Sequence, residues 1–243
     1  PVANAATLPD LTDECEVTTP TAPTATDNCA GQIPGTTTTS FPITTQGTTV
    51  VTWTYDDGNG NTSTQTQNVI IDDVTAPVAD NATLPDVTDE CSVTSLTAPT
   101  ATDNCLGTVT VTSNASLPIT TQGTTVVTWT YDDGNGNSST QTQNVIIDDV
   151  TNPVPPTLSA VTVDCNGTLT APTATDACAG AITGTTTGTL NFNEGGSTTI
   201  TWTFDDGNGQ SVTADQVYNY NDQTAPVANA ATLPDLTDEC EVT

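Results

Sequence analysis

The chain has 243 residues, of which 29 are acidic and none is lysine, arginine or histidine, so its formal net charge is −29 at pH 7. That balance excludes nucleic acid and anionic membrane surfaces as partners, because both need basic patches. It also excludes side-chain salt bridges and a Lys–Asn isopeptide crosslink, and it leaves each carboxylate to be solvated, hydrogen-bonded or neutralised by a cation from solution.

The chain is written in repeats. Pro1-Val2-Ala3 returns as Pro77-Val78-Ala79, as Pro153-Val154-Pro155 and as Pro226-Val227-Ala228, at offsets of 76, 76 and 73 residues. The expected domains are residues 1–76, 77–152 and 153–225, followed by the start of a fourth repeat over residues 226–243. Residues 226–243 reproduce residues 1–18 without a change, which suggests a window on a longer array. A unit of this size can bury a modest core, near the low end for unaided folding. No apolar run is long enough for a membrane-spanning helix, so no direct membrane insertion is expected.

Taken in chain order, each repeat opens with a Cys-bearing segment, Thr12-Asp13-Glu14-Cys15 in the first, and continues to Thr24-Ala25-Thr26-Asp27-Asn28-Cys29. Thr36 to Ser40 and Ile43 to Thr45 are short strand candidates, punctuated by Pro42 and Gly47. The clearest strand runs from Thr48 to Tyr55, with Val51, Trp53 and Tyr55 on one face because side chains alternate along a strand. The same register gives Trp129 and Trp202, so Trp53, Trp129 and Trp202 are expected at the centre of one core per repeat. Asp56-Asp57-Gly58-Asn59-Gly60-Asn61 reads as a hairpin loop, since Gly and Asn tolerate positive φ. A second long strand follows from about Thr62 to Ile71. Short strands at this spacing, without helical periodicity, predict an all-β protein of tandem antiparallel β-sandwiches. The junctions, Asp72-Asp73-Val74-Thr75-Ala76-Pro77 and Asp148-Asp149-Val150-Thr151-Asn152-Pro153, are shorter than flexible linkers and carry proline. They predict domains arranged end to end as a rod.

Seven cysteines follow the repeats: Cys15 and Cys29, Cys91 and Cys105, Cys165 and Cys178, with Cys240 the counterpart of Cys15. Spacings of 14, 14 and 13 residues suggest one disulfide inside each repeat, worth roughly 3 kcal/mol for a loop of about 15 residues, in an oxidising setting. The alternative, a metal site, has no histidine and no C-x-x-C to support it.

The acidic residues leave two readings. Calcium takes six to eight oxygens from carboxylates, amides and backbone. The last hairpin loop of an immunoglobulin-like sandwich lies at the end where the chain enters, so Asp132 and Asp133 would approach Asp72 and Asp73 at the preceding junction, with Asp103 as a further ligand. Asp205 and Asp206 would approach Asp148 and Asp149 in the same way. Ca²⁺ would then bridge successive repeats. In the other reading these residues are turn formers and solvated caps. Catalysis is not expected: there is no histidine or lysine, and a carboxylate pair repeated in every small domain is an improbable active site.

The order T-A-P-T-A-T-D-N-C (21–29), Q-G-T-T-V-V-T-W-T-Y-D-D-G-N-G-N (46–61), N-V-I-I-D-D (68–73) and then a proline resembles the hyalin-repeat (HYR) type of immunoglobulin-like domain. Within that group it most resembles the repeats of SprB-type gliding adhesins of Bacteroidetes. The resemblance implies long, secreted cell-surface proteins, exported by the type IX system and moved along the cell surface to grip a substratum. Many hyalin repeats carry a second cysteine pair that is missing here, and Ala177 stands where the other repeats have Asn28 and Asn104. The resulting expectation is a structural stalk or spacer of an extracellular adhesin, stiffened by calcium under the first reading of its acids, whose cell-surface or substratum polysaccharide or protein partner binds elsewhere. The rivals are an array of polysaccharide-binding modules and a subunit that self-associates into filaments or sheaths.

Overall fold

One long hairpin organises each repeat, and the alternation of its residues dictates which face it buries. The computed structural model describes residues 1–105, 107–164, 167–190 and 195–227. The first repeat comprises β1 (Val2–Ala3), β2 (Leu11–Asp13), β3 (Thr24–Asp27), β4 (Gly31–Pro34), β5 (Gly47–Asp56) and β6 (Thr62–Ile71). The second comprises β7 (Val78–Ala79), β8 (Val87–Asp89), β9 (Ala101–Thr102), β10 (Thr110–Ser113), β11 (Gly123–Asp132) and β12 (Ser138–Ile147). The third comprises β13 (Val161–Val163), β14 (Thr173–Asp176), β15 (Gly180–Thr183), β16 (Ser197–Asp205) and β17 (Ser211–Tyr220). The fold is all-β.

In the first repeat, sheet β1-β3-β4 faces sheet β2-β6-β5. Ala25 and Ile33 from one sheet share a core with Val51, Trp53, Tyr55, Val69 and Ile71 from the other, which makes the repeat a sandwich. The second repeat pairs β10-β11-β12-β8 with β7-β9, and the third pairs β13-β17-β16 with β14-β15. Every strand pairing among the described residues falls inside one repeat. The sandwich is not wholly antiparallel. The short strand before the first cysteine pairs parallel with the last strand of its own repeat: β2 with β6, β8 with β12 and β13 with β17. The weak candidates at 36–40 and 43–45 contribute only single bridges, Thr36↔Thr54 and Val17↔Ile43, whereas the T-A-T-D segment forms strand β3.

The three tryptophans are 3–4 % exposed and hold their repeats together by a polar contact as well as by area. The Trp53 indole N–H donates to Gln67 Oε1 at 3.0 Å, and Gln67 Nε2 donates to the Pro9 carbonyl at 2.9 Å. Gln67 is itself buried. Trp129 and Gln143 repeat this at 3.1 Å, with Gln143 donating to Pro85 at 3.0 Å, and Trp202 and Gln216 repeat it at 3.0 Å. An indole N–H needs a partner once buried, and the glutamine passes that requirement on to the incoming segment, which it thereby pins across the sandwich.

Backbone contacts part the chain into two compact units, residues 1–148 and residues 149–243. The first contains the junction between repeats 1 and 2. The second contains the third repeat together with Asp149.

Candidate functional site

The site is built at the junction inside the first unit. Strand β6 ends at Ile71 beside Asp13, where the Asp72 N–H donates to the Asp13 carbonyl. That pairing sets Glu14, Cys15 and Asp73 at one end of the first sandwich. The opposite end of β5 and β6 is their hairpin loop, roughly 30 Å away at about 3.3 Å per residue over ten residues. Cys29 lies at that far end: it follows β3, and the charge of neighbouring Asp27 is felt by Asp57 in the hairpin loop.

This geometry corrects the disulfide pairing expected from spacing. Cys15 does not pair with Cys29, nor Cys91 with Cys105. Cys15 is bonded to Cys105, 90 residues on, with Cα atoms 4.9 Å apart. The two cysteines of one repeat sit at opposite ends of its sandwich, whereas Cys15 abuts the face that the second repeat presents. Cys29 is a free, exposed thiol. Cys91 and Cys178 are each disulfide-bonded, while Cys165 and Cys240 lie outside the described residues. The cystine therefore staples the joint and not the bead.

Around the cystine, amides and hydroxyls serve the carboxylates. Asn104 Nδ2 and the Thr75 hydroxyl both donate to Glu14 Oε2, each at 2.7 Å. Asp73 is 4 % exposed. Its Oδ2 accepts from Asn135 Nδ2 at 2.9 Å, its Oδ1 from the Thr75 N–H at 3.1 Å, and its carbonyl from Asn137 Nδ2 at 2.9 Å. Asn137 Nδ2 also donates to Asp133 Oδ2 at 2.8 Å, so one amide ties the hairpin loop of the second repeat to the last residues of the first. Burial pushes the Asp133 carboxyl up, but the Asn137 side chain and the N–H groups of Asn135, Asn137 and Gly136 outweigh it and hold the group below the usual aspartate value.

The carboxylates converge. One oxygen of Asp73, one of Asp103 and the Cys105 sulfur lie within 4.8 Å of one another. The sulfur is in a cystine and offers no thiolate. Within the second unit, single oxygens of Asp149, Asp176 and Asp206 converge equally closely. Asp149 is 1 % exposed, and its Oδ2 accepts from Asn208 Nδ2 at 3.0 Å, as Asp73 accepts from Asn135. By repeat position two members correspond, the junction aspartate and the T-A-T-D aspartate; Asp206 matches Asp133, whose place in the first set is taken by the Cys105 sulfur.

Asp103 Oδ2, Asp176 Oδ2 and Asp206 Oδ2 are buried and have no hydrogen-bond donor. Such oxygens are costly unless a cation meets them. An oxygen-seeking dication suits carboxylate donors of this kind.

Of the other acids proposed as ligands, Asp72, Asp132, Asp148 and Asp205 are exposed and stand apart from these clusters. Asp132 and Asp205 cap their turns, accepting from the Gly134 and Gly207 N–H groups at 2.7 and 2.8 Å. Gly134 and Gly207 sit at φ of 81° and 80°, where a side chain would be strained. Sequence reasoning missed Asp176, although its counterpart Asp103 was selected, and missed the amides Asn104, Asn135, Asn137 and Asn208. Their recurrence at fixed offsets from the aspartates was the available signal.

Residues 4–71 match the family described as an HYR-like domain with 4 cysteines, although this stretch carries two. The chain is 38 % identical over 261 aligned residues to hyalin of Strongylocentrotus purpuratus, covering 93 % of the chain and 21 % of that protein. It is 37 % identical over 240 residues to hyalin of Lytechinus variegatus, covering 85 % and 43 %. The chain thus spans about a fifth and about two fifths of these relatives. Among solved structures, the protocadherin GammaB4 extracellular domain aligns at a TM-score of 0.35 and 14 % identity, over 90 % of this chain and 49 % of that one. Over residues 4–71, the chain is similar to an HYR-like domain.

Proposed function

We propose that this chain is a run of HYR-type repeats from an extracellular adhesive protein, and that its working parts are the joints between repeats. The observation that carries this reading is the Cys15–Cys105 cystine, which ties one repeat to the next beside a cluster of buried carboxylates. A structural cystine belongs to oxidising compartments. The similarity to hyalin over most of the chain supports an extracellular repeat, and all three repeats share the landmarks that the first shows in its match to the family. Assignment to a gliding adhesin of Bacteroidetes rests on the resemblance of the repeats alone. The adhesive partner, a polysaccharide or protein of a cell surface or substratum, is reached through other parts of such a protein. These repeats carry load and set distance.

In this reading a divalent cation, calcium by its preference for oxygen, completes each joint. Asp73 and Asp103, with Asp133 next in the network, would hold it in the first unit. Asp149, Asp176 and Asp206 would hold it in the second. The cation supplies the positive charge that the chain lacks. Calcium titration followed by melting temperature tests this. With the weak affinities of extracellular modules, 10 mM Ca²⁺ should stabilise the chain by about 1.5–3 kcal/mol. Asp103→Asn and Asp206→Asn should each diminish that gain. A melting temperature unmoved by millimolar calcium would refute the cation.

A further inference from the structure

Repeat 2 presents to repeat 1 a face made of Asn104, Cys105, Asn135 and Asn137, and every one of these contacts is filled: Glu14, Cys15, Asp73 and the Asp73 carbonyl answer them. Repeat 1 carries the same face, residue for residue, at an offset of 76: Asn28, Cys29, Asn59 and Asn61. Here it is open. All four residues are exposed and Cys29 is a free thiol, whereas Cys105 and Asn137 are half-buried. The first repeat therefore carries the surface with which the second makes its joint.

We propose that the Cys29 face of the first repeat takes the cysteine-bearing end of another HYR-type repeat, and that Cys29 closes a cystine with the T-D-E-C cysteine of that partner. The partner's chemistry is defined by the joint already formed. It offers a Glu-Cys pair following a short parallel strand, for Asn28 and Cys29, and a buried junction aspartate with its carbonyl, for Asn59 and Asn61. A face whose donors are all amides and thiol selects an acidic end without needing a basic residue, which no repeat in this chain could supply. The proposal stands on the geometry of the joint and not on the cation reading, so either can fail alone.

The covalent step needs an oxidant, and glutathione disulfide supplies it by exchange. The partner's cysteine thiolate attacks one sulfur of glutathione disulfide and releases a first glutathione thiolate, leaving a mixed disulfide. The Cys29 thiolate then attacks the protein sulfur of that mixed disulfide and releases the second. Two protein thiols lose two protons and two electrons, and one glutathione disulfide becomes two glutathiones.

The test extends the full chain with an added copy of residues 1–76 placed directly before Pro1, which sets a complete repeat end ahead of the Cys29 face. After folding in a glutathione redox buffer, the thiols are alkylated and the cystines mapped by mass spectrometry. The added copy's Cys15 should be linked to Cys29, and Cys29 should lose its reactivity towards alkylation. The original Cys15–Cys105 link in the same sample reports that the fold is intact. Asn59→Asp with Asn61→Asp, which turns the amide donors into carboxylates facing the incoming aspartate, should lower the linked fraction about tenfold, equivalent to about 1.4 kcal/mol. Cys29 remaining alkylatable beside an intact Cys15–Cys105 cystine would overturn the proposal. So would pairing of the added Cys15 within its own repeat, or a linked fraction indifferent to the two asparagines.

Discussion

The hairpin loops at residues 56–61 and 132–137 have the same sequence, D-D-G-N-G-N, and different surroundings. In the first repeat, Asn61 holds Asp57 at 2.7 Å and Asn59 reaches only the Asp57 carbonyl, at 3.3 Å. In the second, Asn135 and Asn137 turn the same amides to a buried aspartate of the preceding repeat. The difference lies wholly in what the neighbour brings. Carboxylates at protein interfaces are commonly met by arginine, whose planar fork can grip both oxygens. A chain without basic residues uses asparagine, threonine and backbone N–H instead, and a cystine fixes the register that a salt bridge would otherwise select.

The largest effect should come from cutting that cystine. Cys15→Ser or Cys105→Ser opens a link across 90 residues, worth about 4.6 kcal/mol in the chain-entropy account. Cys29→Ser, in the same sequence context one repeat earlier, removes no bond and should leave urea stability within about 0.5 kcal/mol. Equal losses at Cys29 and Cys105 would mean that the thiols matter to their own repeats and not to the joint.

Much of the bead was legible in the sequence, and the joint was legible only in part. The T-W-T-[YF] strand announced its buried face through strict alternation, and the D-D-G-N-G loop announced the turn, because both signals are local. Convergence of the second repeat's loop on Asp73 followed from general sandwich topology. The disulfide pairing did not follow, because spacing along the chain carries no information about which end of a sandwich a residue occupies. Cys15 and Cys29 are only 14 residues apart, and yet β2 and β3 belong to opposing sheets and deliver them to opposite ends. The parallel pairing of β2 with β6 was hidden for the same reason: three residues have too short a period to reveal a partner 58 residues on. Gln67 and Gln143 close a polar run on their strand faces just before Val69 and Val145, and their role needed the indole positions.

A smaller contrast should separate the two loops directly. Asn135→Ala removes the donor to Asp73 Oδ2, an oxygen of a side chain only 4 % exposed, and should cost about 1–3 kcal/mol. Asn59→Ala removes an exposed amide with one long contact and should cost no more than about 0.5 kcal/mol. Chemical denaturation of the two variants against the parent measures both. Similar costs would mean that the loop's own turn, and not the joint, gives these asparagines their value.

The smallest effect is in acid. Asp57 is held below the ordinary aspartate value first by the Asn61 side chain and then by the Asn59 N–H, with burial opposing; for Asp133, burial is the largest influence and the same hydrogen bonds overcome it. A carboxyl with a lowered folded value stabilises the fold above its unfolded value of about 3.9 and loses that contribution as the pH falls towards the folded one. Both loops should therefore weaken below about pH 4, and melting temperature followed from pH 6 to pH 2 should fall most steeply there. Asp57→Asn should flatten that slope more than Asp133→Asn, because in the joint desolvation already cancels part of what the amides contribute. A steeper dependence on Asp133 would mean that the closed joint tightens those hydrogen bonds more than it dries them.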